Sequence, residues 1–373
     1  MWTVLMTGAG APGGIGTLKC LKKDKNIRLF VGDANPLANG RFLNKSRFLT
    51  LKKATDPDFI PHILELSIQH KIQVILPLVT LELFKFAENK VLFEENGIKI
   101  IVSDKKDLDI ANNKSRLYEH LTAHNILTPQ YKVVQAGDLN GFLKSFEDLD
   151  FPQKPLCVKP SVSNGSRGVR IVDDSVDKYD LLFNYKPNSL YISFDEIVEI
   201  LRGVKSPQPP KEELPMSELP LWGLGGLESG DLGLNFPELL VSEVLPDEEY
   251  TVDTIVNHGK PILILPRLRK KTNNGISVEG QFLDNQEIID YCFKILTSLN
   301  LHGPIGIQVK KAEDGRFKIL EINPRIQGTS VAAMGLGINL PLIAVKQEMN
   351  EPFEMPPIRW GTSFSRYYQE VFY

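Results

Sequence analysis

The stretch GPIGIQVKKAEDGRFKILEINPR, residues 303–325, contains two alternating apolar runs on either side of Asp314 and Gly315. Asp-Gly is a favoured two-residue hairpin turn, and with this turn Gln308 would sit directly opposite Glu321. Alternate residues of a strand point to opposite faces, so one face is apolar and the other polar. The stretch therefore predicts an antiparallel hairpin that separates a core face from a polar cluster.

The polar face of this hairpin carries three oxygen-bearing side chains, those of Gln308, Glu321 and Asn323. Such ligands suit Mg²⁺, a hard ion that commonly bridges substrate phosphates. Pro324 ends the strand and stiffens the corner, so Arg325 could reach the same phosphates. An ordinary exposed hairpin face is the alternative, but the Glu-Ile-Asn-Pro-Arg run favours a metal site.

A small-residue loop follows the apolar strand LCVKP at residues 156–160. Serine hydroxyls, backbone N–H groups at glycines and a nearby lysine are the donors that triphosphate oxygens need. The pattern predicts a flap over phosphates, with a plain surface hairpin as the alternative. The candidate donors are Lys159, Ser161, Ser163, Gly165, Ser166 and Gly168.

An acidic cluster, Asp247 to Glu249 with Asp253, joins a linker to the next apolar strand after Ser-Glu-Val-Leu at residues 242–245. Acidic groups here could accept hydrogen bonds from adenine or ribose. Short acidic clusters are usually solvated surface, so spacing alone does not identify a nucleotide-binding hinge.

The first 110 residues alternate short apolar runs with amphipathic segments, which predicts βαβ units and a parallel sheet. Residues 8–13, Gly-Ala-Gly-Ala-Pro-Gly, and Asp33 together satisfy the dinucleotide fingerprint. Glycines there bring backbone N–H groups near any anion, and no hydride-transfer acid or base follows. A substrate-side or vestigial pocket is favoured, and an NAD-dependent enzyme stays open as an alternative.

Composition narrows the class of protein. The chain has 373 residues, 42% of them hydrophobic, which is enough for two or three packed lobes. The formal charge of -3 excludes a basic field for nucleic acid, and no run approaches the ~20 apolar residues that span a bilayer. Without a basic leader or a CxxC pair, we expect a cytoplasmic protein that binds no membrane.

Lys114, VKPSVSNGSRGV, SEVLPDEEYTVD and Gln308 with EINPR resemble the ATP-grasp superfamily, nearest to its carbamoyl-phosphate-synthase-like and amino-acid-ligase branches. The resemblance covers essentially the whole chain. It implies a mixed α/β and α+β fold, in which an ATP-grasp fold follows an N-terminal Rossmann-like pre-ATP-grasp domain.

The resemblance also predicts the division of the chain into three regions. Residues 1–110 would form the Rossmann-like domain, residues 111–242 the small lobe, and residues 243–373 the C-terminal lobe with the Mg-ATP site. A Pro- and Gly-rich stretch at about 185–237 resists regular structure and is predicted to be an insertion. The aromatic closing segment, residues 364–373, could pack across a homodimer interface, although packing within its own lobe is favoured.

Roles for single residues follow by resemblance. In that superfamily, the lysines that match Lys114 and Lys159 contact nucleotide phosphate, and the loop that matches 161–168 closes over it. The residues that match 243–245 lie near adenine, and the residue that matches Glu249 lies at the ribose. The implied nucleotide-binding residues outside the loop are Lys114, Lys159, Glu243, Val244, Leu245 and Glu249.

The same resemblance makes Gln308, Glu321 and Asn323 ligands of Mg²⁺, with Mn²⁺ as a substitute, and Arg325 a phosphate-stabilising arginine. Many ligases of the superfamily have Asp in place of Gln308, and the synthase branch has Gln. Arg267 and Arg269 resemble a strand and loop that face the acceptor carboxylate, and guanidinium groups suit bidentate carboxylate contacts. Lys159, Arg267, Arg269 and Arg325 are therefore the predicted catalytic residues.

The expected function is an ATP-dependent carboxylate–amine ligase that acts through an acyl phosphate and releases ADP and phosphate. Its partners would be ATP, a small carboxylate and an amine. A synthase-like enzyme that phosphorylates a small acid without forming an amide is one alternative, and it would share every motif named. A nucleotide-binding regulator without catalysis is another, and the intact Glu321, Asn323 and Arg325 argue against it.

Overall fold

The computed structural model describes residues 1–163, 167–176, 190–203, 236–273, 275–367, 369–370 and 372. The chain forms two compact units. The first contains Met1–Asn112, Glu248–Lys310 and Ile319–Tyr373, and the second contains Asn113–Asp247 and Lys311–Lys318. Gly165, Ser166 and most of the predicted insertion at 185–237 lie outside the described residues.

A five-stranded parallel sheet opens the first unit. Its strands are β1 (Trp2–Met6), β2 (Ile27–Asp33), β3 (Phe48–Thr50), β4 (Val74–Leu76) and β5 (Lys99–Ile100), in the order β3-β2-β1-β4-β5. Five helices lie between these strands along the chain: α1 (Gly14–Leu21), α2 (Asn39–Leu43), α3 (Phe59–His70), α4 (Thr80–Glu88) and α5 (Lys90–Glu95). Helix α6 (Lys105–Ala111) follows β5. The predicted Rossmann-like sheet is confirmed.

Both faces of this sheet are buried, as expected for parallel strands covered by helices. Along β1, Val4 and Met6 enter one core cluster and Leu5 enters another. From β1 the chain builds one half of the sheet with β2 and β3, and it then crosses over to build the other half with β4 and β5. The two halves meet at the neighbouring strands β1 and β4. In open α/β sheets, ligand crevices form outside the carboxyl ends of strands at such a switch point.

The second unit is built on a mixed sheet. Its strands are β6 (Tyr131–Val134), β7 (Leu156–Pro160), β8 (Arg170–Val172), β9 (Tyr191–Ile192) and β10 (Leu239–Glu243), in the order β6-β10-β7-β8-β9. Helices α7 (Lys114–Ala123), α8 (Leu139–Glu147) and α9 (Phe194–Gly203) accompany it. The side chains of Asn113 and Asp138 cap α7 and α8 by accepting backbone N–H groups.

The third sheet has the order β15-β14-β11-β12-β13-β16. Its strands are β11 (Glu249–Asn257), β12 (Lys260–Asn273), β13 (Ile276–Phe282), β14 (Gly303–Lys311), β15 (Phe317–Asn323) and β16 (Ser363–Ser365). Two helices accompany it, α10 (Gln286–Thr297) and α11 (Leu340–Glu348). The sequence pattern places the N-cap of α10 at Asp284, but the cap is Asn285, whose side chain accepts from Ile288 N at 3.1 Å.

The turn of the β14–β15 hairpin differs from the two-residue turn predicted from Asp-Gly. Gly315 N donates to Ala312 O, and Ala312 N donates to Arg316 O, both at 2.9 Å. Gly315 has a φ of 78°, the left-handed conformation that glycine accepts in a longer loop of this kind. Ala312 therefore faces Arg316, and a direct pairing of Gln308 with Glu321 no longer follows from the turn.

In the described part of the chain, no single helix is long and apolar enough to cross a membrane. One bent pair, Ser330–Leu336 with Leu340–Glu348, reaches the required length and composition only jointly.

Candidate functional site

Lys159 is a buried cation at the end of β7 in the second unit. Its side chain is 5% exposed, and Nζ donates to the hydroxyl of Tyr118 at 3.1 Å and lies 5.2 Å from that ring's centroid. Tyr118, on α7, is fully buried and packs edge-on against Tyr131. The aromatic pair therefore holds the ammonium group at the start of the small-residue loop.

Lys114, the first residue of α7, is fastened to the same loop. Its Nζ donates to the Ser163 carbonyl at 2.8 Å, and its backbone N donates to the Ser161 carbonyl at 2.8 Å. Ser161 and Ser115 hydroxyls are 2.5 Å apart. The structure thus brings Lys114, Lys159, Ser161 and Ser163 together, and Gly168 returns the loop onto Pro160, where a Cβ would come within 2.7 Å of the proline ring.

Glu243 at the end of β10 is tied down by residues that the motif does not contain. Its Oε1 accepts from Gln130 N at 2.7 Å and from Lys318 Nζ at 2.6 Å. Lys318 is 7% exposed in its side chain, so this is a mostly buried ion pair. The Glu243 side chain is therefore a structural anchor for the hinge, in which Val244 is partly buried and Leu245 is buried.

One face of the third sheet, within the first unit, carries most of the other candidates. Thr251 on β11 faces Arg267 on β12 and Gln308 on β14. Facing residues share a side of the sheet, and so do residues two apart along a strand. Glu249 and Arg269 therefore lie on the same side, and the strand register groups five polar side chains over three neighbouring strands.

Arg267 is the best-buried cation of this face, with no exposed surface. Its Nε donates to Asp253 Oδ2 at 3.1 Å and its Nη2 to Thr329 Oγ1 at 3.3 Å. Asp253, 1% exposed, also accepts from Ser330 Oγ at 2.6 Å. Burial lowers the pKa of Arg267, and the charge of Asp253 opposes that shift, so the guanidinium stays paired inside the protein.

Arg269 joins the two residues predicted to serve ribose and metal. Its Nη1 donates to Glu249 Oε1 and to Gln308 Oε1, the latter at 3.3 Å, and its Nη2 donates to the Gly275 carbonyl at 2.7 Å. Glu249 and Gln308 are thus brought together through a guanidinium in this structure.

The Gln327 side chain lies over β14, a strand of the third sheet. A Cβ at Gly306 would lie 1.5 Å from Gln327 Nε2, so only glycine leaves room for this side chain over β14. Among the described residues, Gln327 Nε2, Arg267 Nη1 and Arg269 Nε are buried nitrogen atoms without a hydrogen-bond partner. All three are donors, and each unpaired buried donor costs about 1–3 kcal/mol.

The Glu-Ile-Asn-Pro-Arg run presents its polar residues at one corner. Asn323 Nδ2 donates to Glu321 Oε1 at 2.9 Å. Arg325 Nε donates to Thr80 Oγ1 at 2.9 Å, at the start of α4. Burial lowers the pKa of Arg325, and the nearby Glu321 carboxylate opposes that shift. The structure therefore groups Glu321, Asn323 and Arg325.

Two residues of the dinucleotide fingerprint, Gly10 and Asp33, are hydrogen-bonded to each other. Asp33 Oδ2 accepts from Gly10 N at 2.7 Å, and Oδ1 accepts from Asn35 N at 2.8 Å. A Cβ on Gly13 would come within 3.0 Å of the Gln327 carbonyl, so the loop packs closely on the segment after Arg325. Asp33, which would bind ribose in a dinucleotide site, is here a backbone acceptor.

Comparison with known proteins identifies two regions of the chain. Residues 4–101 match the family described as PylC-like, N-terminal domain. Residues 235–367 match the family described as ATP-grasp in the biosynthetic pathway with Ter operon. This chain contains an ATP-grasp domain.

Relatives and solved structures extend the likeness. The carbamoyl phosphate synthase large chain of Archaeoglobus fulgidus is 25% identical over 263 residues, which cover 69% of this chain. The match spans only 20% of that relative's length. The predicted resemblance to the ATP-grasp superfamily, near its carbamoyl-phosphate-synthase-like and amino-acid-ligase branches, is confirmed.

Two solved structures share the fold. An ADP complex of N5-carboxyaminoimidazole ribonucleotide synthetase has a TM-score of 0.65 at 13% identity, over 97% of this chain and 80% of that one. The L-amino acid ligase of Bacillus licheniformis has a TM-score of 0.59 at 14% identity, over 94% and 74% of the two chains. The predicted ATP-grasp fold is confirmed.

Several residues of the ATP-grasp framework were missed by the sequence motifs. Tyr118 and Lys318 are separated from their partners by long stretches of chain, so no local pattern indicates them. Asp253 belongs to the acidic cluster after the hinge, and its position on the same strand face as Glu249 is a usable signal. Gln327 follows the Asn-Pro-Arg corner by two residues and is visible only as an extension of that motif.

The donor set of this ATP-grasp corner fits Mg²⁺ by its chemistry. Gln308, Glu321 and Asn323 offer amide and carboxylate oxygens, the ligands that a hard divalent cation prefers. Within the described residues, no group of three or more His, Cys, Asp or Glu side chains could hold a metal ion. Three protein ligands would leave positions of an octahedral Mg²⁺ ion for water and for substrate phosphates.

Glu82 is a buried carboxyl group at the switch point of the parallel sheet. It lies in the first turn of α4 and is 7% exposed, and Thr7 Oγ1 donates to its Oε2 at 2.5 Å. Burial raises the pKa of Glu82 from 4.5 to about 8; the Thr7 hydrogen bond opposes the shift and the charge of Asp33 adds to it. Glu82 is therefore mostly protonated at neutral pH.

This raised pKa predicts that the protein loses stability as pH rises from 4.5 to about 8. In that interval the folded protein keeps the proton on Glu82 and the unfolded chain has lost it, so unfolding releases a proton. We expect Glu82→Gln to remove a slope worth on the order of a few kcal/mol across the interval, as measured by urea unfolding against pH. Glu94→Gln, at an exposed position, should keep the wild-type slope.

Proposed function

We propose that this ATP-grasp protein is an ATP-dependent carboxylate–amine ligase. The observation that carries the proposal is the group of buried, unpaired donors on Arg267, Arg269 and Gln327. Arginine has no acceptor atom and stays protonated, and the Gln327 Nε2 group is also a donor, so a ligand rich in oxygen acceptors would satisfy these nitrogens. A carboxylate and the acyl phosphate made from it are such ligands.

The residues predicted from the motifs would bind the nucleotide. Lys114 and Lys159 are buried cations beside the small-residue loop, as triphosphate binding requires. Glu249 would take the ribose after release from Arg269. Gln308, Glu321 and Asn323 would hold Mg²⁺, or Mn²⁺ in its place, and the ion when bound would neutralise charge on the phosphate oxygens.

The first step would transfer the γ-phosphoryl group. A carboxylate oxygen of the substrate forms a bond to the γ-phosphorus while the bond to the β,γ-bridging oxygen breaks, which gives an acyl phosphate and ADP. Lys159 and Arg325 offset the negative charge spread over the transferring group. Arg267 and Gln327 hold the carboxylate in the orientation for attack.

The second step would form the amide. The amine nitrogen attacks the acyl carbon, the carbon–oxygen bond to phosphate breaks, and the nitrogen loses a proton to solvent. The protein mainly positions the reactants and excludes water, which would hydrolyse the acyl phosphate.

The test is ADP and phosphate release from Mg-ATP with a matrix of carboxylic acids and amines, with hydroxylamine as a trap for acyl phosphate. Release that needs both an acid and an amine is expected. Release with an acid alone would favour the synthase-like phosphorylation suggested by Gln308 and by the carbamoyl phosphate synthase relatives. Nucleotide binding without any release would refute the ligase in favour of a regulator.

A further inference from the structure

Arg267 lies against two aromatic rings inside the first unit. Its Cζ is 5.8 Å from the centroid of Phe282 and 5.4 Å from the centroid of Phe364. A guanidinium within about 6 Å of a ring centroid is attracted by the ring quadrupole, more strongly where water is excluded. Arg267 has no exposed surface, so both contacts are of the desolvated kind.

Phe364 is placed by the C-terminal strand β16. The strand pairs with β13, where Phe364 faces Gly280, and Arg366 N donates to the Val278 carbonyl at 2.8 Å. A Cβ at Gly280 would come within 2.7 Å of Phe364 Cε1, so the glycine admits the ring. The ring position is thus set by backbone pairing and by a close contact, and it does not depend on Arg267.

The C-terminal segment also reaches the glycine-rich loop. Arg366 Nη2 donates to the Pro12 carbonyl at 3.1 Å. The segment that covers Arg267 is therefore anchored on two sides, at β13 and at the loop after β1.

Arg267 has five N–H donors in a rigid fork. Asp253 and Thr329 accept from its Nε and Nη2, and no described residue accepts from Nη1. Asp253 and Thr329 hold one edge of the fork. A planar group can still swing about that edge unless something supports its faces. The rings of Phe364 and Phe282 supply that support.

We propose that Phe364 is a positioning residue for the acid substrate: its ring fixes the Arg267 guanidinium so that Nη1 meets the substrate oxygen. This inference rests on the proposed function, because it takes the ligand of Nη1 to be the carboxylate that is phosphorylated. It makes β16, at the C-terminal end of the chain, part of the acid-binding site.

The decisive test replaces Phe364 with phenylalanines that carry one, two and three ring fluorines. Fluorine weakens the ring quadrupole with little change in size, so a packing role would hardly respond. We expect KM for the acid to rise in steps to roughly tenfold, in line with a desolvated cation–π contact, while KM for ATP stays within about twofold. An acid KM that ignores fluorination would overturn the proposal.

Two variants complete the series. Phe364→Leu keeps an apolar side chain and should raise the acid KM at least as much as three fluorines do. Tyr367→Leu, three residues on at a position 81% exposed, should leave both KM values unchanged. Equal increases in the KM values for acid and ATP after Phe364→Leu would indicate a general structural role and overturn the proposal.

An NMR measurement distinguishes failure of this inference from failure of the proposed ligase function. In protein labelled with ¹⁵N-arginine, the Arg267 Nε–H signal, assigned with Arg267→Lys, should exchange faster with solvent as fluorines are added. This readout needs no substrate, so it holds even if no acid supports turnover. An Arg267 signal unchanged across the series would overturn the positioning role by itself.

Discussion

Replacing Glu321 with alanine is expected to lower ATP-dependent release of ADP by roughly 10²–10³-fold, the range seen when one electrostatic contact to a developing charge is removed. Glu321 is the only carboxylate among the three proposed metal ligands, and it also lies beside the Arg325 guanidinium. Its loss would weaken the metal site and leave Arg325 without its nearby anion. Steady-state ADP release at saturating Mg-ATP measures the effect.

The matched control is Glu313→Ala, in the exposed turn of the same hairpin. It removes the same charge eight residues away in sequence and should leave turnover within about twofold, as surface substitutions usually do. Excess Mn²⁺ should recover part of the activity of Glu321→Asp but none of that of Glu321→Ala. Turnover by Glu321→Ala equal to that of the control would exclude Glu321 from the metal site.

Asp253→Ala is expected to destabilise the protein by about 3–5 kcal/mol, because it leaves the Arg267 charge buried without its partner. Arg267 and Asp253 are 0% and 1% exposed in their side chains, and Ser330 Oγ would lose its acceptor as well. Urea unfolding of the wild type and the variant measures the change. The acid KM should rise with it, since the fork of Arg267 would lose the contact that holds its Nε edge.

A double-variant cycle identifies the cause of that loss. Asp253→Ala combined with Arg267→Met removes both charges and should be more stable than Asp253→Ala alone. The exposed pair of Lys52 and Asp58 provides the comparison, and Lys52→Met should change stability little because water screens that pair. If the double variant were less stable than Asp253→Ala, the penalty would come from lost packing and not from an unpaired charge.

The local patterns of the sequence predicted the sheet of the first unit well, because both faces of parallel strands are buried and the apolar runs are therefore continuous. The local patterns were less accurate for the turn of the β14–β15 hairpin and for the N-cap of α10, each of which depends on a few hydrogen bonds. Asp-Gly indicated a two-residue turn, but Gly315 closes a longer loop through Ala312. The pattern predicted Asp284 as the N-cap of α10, but the N-cap is Asn285, because its side chain accepts a hydrogen bond from Ile288 N.

In the candidate site too, local motifs identified some residues and missed others. The motifs named Glu321, Asn323 and Arg325, which follow one another along a stiff corner and lie together in the structure. They missed Asp253, Thr329 and Phe364 as partners of Arg267, because these contacts join residues on separate segments of the chain. They also assigned Glu243 by its place in a motif, whereas Lys318 and Gln130 occupy its carboxylate.

By itself, the sequence determined the parallel sheet and the identity of the charged groups, since these depend on residue type and on periods of a few residues along the chain. The ATP-grasp fold was predicted from the resemblance of its motifs to that superfamily. Only the tertiary structure decided which of those charges are paired. Strand order and register place Arg267 beside Asp253 and Arg269 beside Gln308. Among the described residues, they leave three buried donors of this site without acceptors. Hydrogen bonding depends on distance in space, and distance in space is a property of the packed sheets.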